Sequence, residues 1–483
     1  MKRISSQLNH PNGIRIARNP LQVGIMLLVF GAALFLLGAC AQASPTETAI
    51  SSTSAADFSQ LIPAATTLVN QMVNADFAAA TQNFDETMAN ALPQDKLMET
   101  WDQLLTQTGD FQQILGTRTD EVQGYQRVFV TSQFAKGVID ILVVFDSQGK
   151  VAGLFFQPGE SPSTTPQAYN PPEYVDQQAF HEMDVTVGSG EWALPGTLSV
   201  PNNGSGPFPA VVLVHGSGPN DRDETIGPNK PFRDLAWGLA SQGIAVLRYD
   251  KRTLAHADLF SPEILAGLTV DEETVDDALQ AVDLLRQTSE IDPQRIYVAG
   301  HSLGGMLAPR IGQRDPQLAG LAILAGPTRP LEDLTLEQVI YLSNLGGTPT
   351  TQQQANIEAL QTQVAVVKDP ALLSAAPSSD LPLGVPAAYW EDLRGYQPAE
   401  VAKTLAMPML ILQGGRDYQV SPTLDFEGWK TALADKRNVT YRLYPELNHL
   451  FIPGVGPATP EEYNIEGHVD KAVIDDIAAW INP

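Results

Sequence analysis

Residues 295–300, RIYVAG, run straight into the pentapeptide Gly300-His301-Ser302-Leu303-Gly304, and a helix-compatible stretch follows. A G-x-S-x-G segment in that context requires a strand that stops abruptly, a sharp turn with no Cβ clash, and a helix that leaves it. Such a unit belongs at the carboxyl edge of a parallel sheet, so the chain must supply further parallel strands. Short, near-continuous apolar runs occur at 211–214, 245–247, 296–299, 321–324 and 409–412. Strands buried on both faces look like this. Helical patterns at 232–241, 273–287 and 422–433 fall between them. The alternation predicts an α/β fold, a doubly wound and mostly parallel sheet, with 179–187 and 192–200 as an antiparallel pair at its start.

The same pentapeptide fixes the chemistry to look for. A serine hydroxyl is a poor nucleophile near neutral pH and needs a base held by a third group. On this strand–turn–helix frame the chain order is Ser, acid, His. Two histidines follow Ser302 at useful positions, His449 in ELNHLF and His468 ahead of the final helix. His449 is favoured because a loop after the last strand, VTYRLY, can reach over the sheet edge; His468 reads as a surface or capping residue. Asp417, in the turn directly after the strand MLILQ, is the matching acid. Asp425 and Asp435 fall in or beyond the next helix, and Asp250, in RYDKR, reads as a salt-bridged turn residue. Acyl transfer also needs donors for a developing oxyanion. The Leu303 N–H is one. The Ser217 N–H, in His215-Gly216-Ser217-Gly218, is the other, with Gly216 the neighbour most able to displace it; His215 reads as structural.

The 483 residues are more than one ordinary domain holds. Residues 58–158 read as a separate small α+β domain of helices followed by a three-strand meander, with turns near Gly137 and at Ser147-Gln148-Gly149. Residues 159–173, rich in Pro and Ser, are an expected linker. The catalytic domain then spans 174–483. Between about 327 and 406 it carries an insertion too long for a plain crossover, holding Tyr341, Leu342, Leu345, Tyr389 and Trp390 among helical stretches, and this reads as a helical cap.

The N-terminus reads as an address. Lys2, Arg3, Arg15 and Arg18 precede an apolar run from Leu21 to Ala39, the layout of a secretory signal peptide over 1–39. Leu37-Gly38-Ala39-Cys40 resembles the bacterial lipobox, which implies cleavage before Cys40, lipidation of its sulfur, and anchoring of an extracytoplasmic protein to a membrane. Residues 40–57 are small and polar and read as a tether. A net charge of −26 disfavours nucleic-acid partners. With a single cysteine, Cys40, no disulfide can form within the chain and no thiolate zinc site can be built. No metal or cofactor is expected.

With these motifs in place, residues 174–483 resemble bacterial α/β-hydrolase carboxylesterases, including serine aminopeptidase-like members. The string HGSGPNDRDETIGPNKPFRDLAWGLASQGIAVLRYDKR is the most similar part. The small domain resembles the cystatin- or NTF2-like domains that precede some of these enzymes. The resemblance implies hydrolysis of short to medium acyl esters, small-molecule substrates, through an acyl-enzyme on Ser302, Asp417 and His449. Two other readings stand beside it. One is a serine peptidase of the prolyl or aminopeptidase type, which would need an anionic anchor such as Glu332, Asp333 or Glu337. The other is a non-catalytic binding lipoprotein.

Overall fold

The computed structural model describes residues 58, 60–122, 125–159, 169–204 and 206–483. The expected signal segment 1–39, all of the tether 40–57 with Cys40, and the linker's 160–168 lie outside the described residues. The chain divides into two compact units, with the boundary between Ala168 and Tyr169, inside the expected linker.

In the first unit the helix Leu61–Val73 buries Leu61, Ala65, Leu68, Val69 and Met72, and the helix Gln94–Thr108 buries Leu97, Trp101 and Leu104. Both sets recur at the three- and four-residue spacing of one helical face. They cover an antiparallel sheet of β1 (Phe111–Val122), β2 (Tyr125–Phe134), β3 (Gly137–Phe145) and β4 (Val151–Pro158), in that order. The sheet therefore has four strands where three were expected. β1, FQQILGTRTDEV, is polar and an edge strand, and its register with β2 shifts twice, between Phe111 and Gln113 and between Ile114 and Gly116. Its strand character comes from pairing with β2, so its own alternation is too weak to announce it.

The second unit is an eight-stranded sheet. β5 (Phe180–Val187) and β6 (Leu194–Pro201) pair antiparallel, and β6 pairs antiparallel with β8 (Ala245–Tyr249). From there the sheet is parallel through β7 (Phe208–Val214), β9 (Ile291–His301), β10 (Gly320–Leu324), β11 (Met409–Gly414) and β12 (Val439–Tyr444). The spatial order is β12-β11-β10-β9-β7-β8-β6-β5. β7, β8, β10 and β11 are buried almost end to end, as strands covered on both faces must be. Helices Asp276–Gln287 and Leu303–Arg314 cover one face, and Pro231–Ser241 and Lys471–Ile481 cover the other. β9 lies between β7 and β10, with Val214 opposite Gly300 and Leu324 opposite His301. Ser302 therefore emerges at the carboxyl edge where three strands end together.

The expected insertion is helical. It contains Leu331–Asn344, Thr351–Lys368, Pro370–Leu373, Ala387–Leu393 and Pro398–Thr404. Tyr389 and Trp390 are buried in the main core. The first of these helices reaches the loop after β11. Gln338 donates to the Gln419 carbonyl at 3.0 Å, and the Tyr341 ring stacks on Tyr418 with centroids 5.0 Å apart.

Candidate active site

Ser302 is the hinge between β9 and the helix Leu303–Arg314. Its φ of 53° and ψ of −116° lie outside the regions an L-residue normally occupies. Backbone strain at such a position persists only where the surroundings over-determine it, and here they do. The Ser302 N–H donates to the Leu324 carbonyl at 2.9 Å, and the Met306 N–H donates to the Ser302 carbonyl at 2.9 Å. The flanking glycines are required by close approach. A Cβ on Gly300 would lie 2.1 Å from the Gly304 carbonyl oxygen, and one on Gly304 would lie 2.2 Å from that of Val214. The turn presents a half-buried Ser302 hydroxyl above the sheet edge.

Asp417 and His449 meet in the loops after β11 and β12. The His449 Nδ1–H donates to Asp417 Oδ2 at 2.7 Å, and both residues are buried. The carboxylate is fully engaged. Oδ1 accepts the Gln419 N–H at 2.8 Å and the Val420 N–H at 2.9 Å, while Oδ2 also accepts from Gln413 Nε2 at 2.9 Å. The His449 loop is folded around Asn448, whose Oδ1 accepts the Leu450 and Ile452 N–H groups at 3.0 and 3.1 Å. It is tied to the serine's neighbour, because His301 Nε2 donates to the His449 carbonyl at 3.0 Å. With Nδ1 holding its proton against Asp417, Nε2 of His449 is left as the basic nitrogen.

Gly216 and Ser217 follow β7. A Cβ on Gly216 would stand 3.2 Å from the Ser302 Cβ, so this backbone lies beside the serine. The Gly216 N–H is taken, donating to Glu224 Oε1 at 2.7 Å. No hydrogen bond among the described residues occupies the Ser217 or the Leu303 N–H. Of the two neighbours considered as second donor, the geometry leaves Ser217 free. His215 is buried, and burial pushes its imidazole down to about 4, against the pull of nearby Glu224. It is neutral at working pH and its Nε2 bonds the Asp221 carbonyl at 3.1 Å.

Three groups in this cluster were not singled out from sequence. Glu224, at φ 51°, places Oε2 2.9 Å from His301 Nδ1, and both side chains are buried. Burial opposes both charges, but their mutual attraction outweighs it, so the Glu224 carboxyl is held below its ordinary value and the His301 imidazole above. Lys251 is the third, behind Gly216. The only sequence signal for His301 was its place inside the pentapeptide; Glu224 and Lys251 carried none, because their partners are distant in the chain.

Other expected residues fall elsewhere. His468 bonds Asp234 at 3.1 Å, and Asp234 also accepts the Val469 N–H at 2.9 Å and the Tyr169 hydroxyl. Asp425 is buried against Arg329, and Asp250 forms a two-point pair with Arg222 at 3.0 and 2.8 Å. Of the three cap acids, Asp333 pairs with Lys368 and Glu337 with Arg329. Glu332 lines a cavity of about 200 Å³ together with Trp390 and Tyr396.

The family described as "Serine aminopeptidase, S33" matches residues 207–453, just over half the chain. A second, described as a protein of unknown function (DUF3887), matches residues 65–154 in the small unit. Esterase EstD of Thermotoga maritima is 42% identical over 414 residues, covering 86% of this chain and 93% of its own. The Bacillus subtilis protein named "Putative hydrolase YtaP" is 28% identical over 131 residues, covering 25% of this chain and 44% of its own. Among solved structures, Est1E from Butyrivibrio proteoclasticus aligns with a TM-score of 0.40 at 15% identity, covering 62% of this chain and 99% of that one.

Proposed function

The chain belongs to the serine aminopeptidase (S33) family of α/β-hydrolases, and from that membership and the site's geometry we propose that it is a serine esterase with Ser302 as nucleophile. The observation that carries the reading is the buried Asp417–His449 hydrogen bond at the carboxyl edge from which Ser302 projects. In this reading His449 Nε2 takes the Ser302 proton as Oγ bonds to the substrate carbonyl carbon. Asp417 keeps the proton on Nδ1 and stabilises the imidazolium that forms. The N–H groups of Ser217 and Leu303 receive the carbonyl oxygen as it becomes an oxyanion. Collapse expels the alcohol, protonated by His449, and water repeats the sequence on the acyl-enzyme.

Ester substrates are favoured over peptides with a free N-terminus. Such a peptidase needs an anionic anchor in the cap; Asp333 and Glu337 are each already matched by a cation, and burial raises the carboxyl of Glu332, which disfavours the charged form an anchor needs. The relative that covers nearly the whole chain also bears an esterase name. A panel of p-nitrophenyl esters against aminoacyl-p-nitroanilides tests the class: turnover of the esters alone is expected, and preference for the anilides refutes it. A fluorophosphonate should label wild type and not Ser302→Ala, and Ser302→Ala should lose roughly 10⁴-fold or more in turnover.

The lipobox-like Leu37-Gly38-Ala39-Cys40 after a positive-then-apolar leader supports an extracytoplasmic protein anchored to a membrane through lipidated Cys40. Cys40→Ser should release the protein from membranes or leave unprocessed precursor. A mutant of wild-type size that stays equally membrane-bound refutes the anchor.

A further inference from the structure

The peptide that joins Gly216 to Ser217 is gripped by buried charge on its far side. Lys251, in the loop after β8, is almost wholly buried, and its Nζ donates to the Gly216 carbonyl oxygen at 3.0 Å. The same nitrogen lies 3.3 Å from Glu273 Oε2. Glu273, also buried, accepts the hydroxyl of Tyr389 from the cap at 2.8 Å and that of Thr253 at 3.1 Å. The Lys251 N–H donates to the Asn220 carbonyl at 3.0 Å, and Asn220 Nδ2 returns to the carbonyls of Gly216 and Ser217 at 3.3 and 3.1 Å. Burying an ion pair is expensive, and apolar side chains of the same size would hold a fold as well. This pair spends its cation on one backbone oxygen.

That oxygen and the Ser217 N–H belong to one conjugated amide. A cation on the oxygen draws electron density from the nitrogen and makes the N–H a stronger donor, as hydrogen bonds in series polarise one another. The other donor is backed differently. The Leu303 N–H shares its amide with the Ser302 carbonyl, which among the described residues accepts only the neutral Met306 N–H at 2.9 Å. We propose that Lys251 is a positioning residue of the oxyanion hole, fixing and polarising the Gly216–Ser217 peptide so that Ser217 is the stronger of the two donors to the developing oxyanion. The proposal rests on the esterase reading above. It adds no step: the carbonyl π pair still moves to oxygen as Ser302 Oγ bonds to carbon and its proton passes to His449. Lys251 acts only through the peptide that meets that oxygen, so its effect is largest in the transition state, where the negative charge is largest.

The experiment compares Lys251→Met, Lys251→Gln and Lys251→Arg in the full chain, with active enzyme counted by fluorophosphonate titration. The two neutral variants are expected to lose roughly 10- to 100-fold in kcat with KM within about twofold, short of the roughly 10²- to 10³-fold cost of deleting a donor outright. The infrared carbonyl stretch of their acyl-enzyme should move up toward that of the free ester, and Lys251→Arg should retain most of both properties. A rise in KM with kcat unchanged, an unmoved carbonyl stretch, or an Arg variant as impaired as Met overturns the proposal. Should neither neutral variant yield titratable enzyme, the wild-type boronate adduct decides. Its Ser217 amide proton should resonate downfield of that of Leu303, and the reverse order overturns the proposal. Failure of the probe to label Ser302 in wild type would instead strike the esterase reading itself.

Discussion

Replacing Asp417 by Asn removes one charge and adds two protons, and the surroundings dictate where those protons go. An Asn side chain has two ways to sit. In one, its NH₂ faces the Gln419 and Val420 N–H groups that now donate to Oδ1 at 2.8 and 2.9 Å, setting donors against two backbone donors that cannot turn. In the other, the NH₂ takes the place of Oδ2, facing Gln413 Nε2 and His449 Nδ1. Gln413 cannot flip to help, because its Nε2 also serves the carbonyls of Gly414 and Val420. His449 can adapt, by moving its proton from Nδ1 to Nε2. The second arrangement therefore wins, with one unresolved donor clash instead of two. It leaves His449 Nε2 protonated and unable to accept the Ser302 proton. Loss of the reactive tautomer costs about 10⁴-fold in kcat, or about 5.5 kcal/mol of transition-state stabilisation. KM on p-nitrophenyl esters should stay within a few-fold, because Asp417 is buried behind the imidazole. Steady-state kinetics on titrated enzyme read both. A kcat within tenfold of wild type, in a variant with wild-type melting behaviour, would show that Asp417 does not set the tautomer of His449.

Gly304→Ala should give little soluble enzyme, because its Cβ would stand 2.2 Å from the Val214 carbonyl oxygen and must displace β7 or the helix; a folded variant within about 3 kcal/mol of wild type in denaturant unfolding counts against that packing. Glu224→Gln should cost about 3–5 kcal/mol by breaking a buried pair. The lowered Glu224 carboxyl contributes stability above its unfolded pKa, and the raised His301 imidazole contributes below its own. The difference from wild type should therefore be greatest between roughly pH 4.5 and 6.5, fading as acid protonates the carboxylate and as alkali passes the raised imidazole. A pH-independent difference refutes the pairing. His468→Ala should leave ester turnover within about threefold. Its hydrogen bond to Asp234 raises the imidazole, so the small stability it supplies should be present in acid and lost as pH rises through that raised value; a dead His468→Ala beside an active His449→Ala would reassign the base.

Much of the site could be read from local pattern because its parts stand at strand ends. Ser302 and Asp417 follow apolar runs that are buried in the sheet, His449 follows the half-buried edge strand β12, and a parallel sheet delivers the residues after its strands to one edge. Glycine at 300 and 304 could be understood before any contact was seen, since the turn at 302 leaves no room for a Cβ. The second oxyanion donor could only be narrowed to Ser217 or Gly216. The choice depends on Glu224, whose carboxylate occupies the Gly216 N–H, and nothing in the order of residues says that it points there.

Sequence by itself determined the elements whose signal is periodic and local: the parallel strands, the turn at Ser302, the helical character of the insertion and the separation of a small N-terminal unit. Tertiary structure decided what is carried by pairing and contact and not by local pattern. β1 is a strand because β2 pairs with it, since its polar face buries too little to specify it alone. The His301 imidazole is raised because Glu224 is buried against it, and Lys251 faces Gly216 because Glu273 and Tyr389 close the space behind it. A buried charge acquires its meaning from what surrounds it in a medium that screens little, and that surrounding is assembled only when the loops after β7, β8, β9 and β12 meet at one edge.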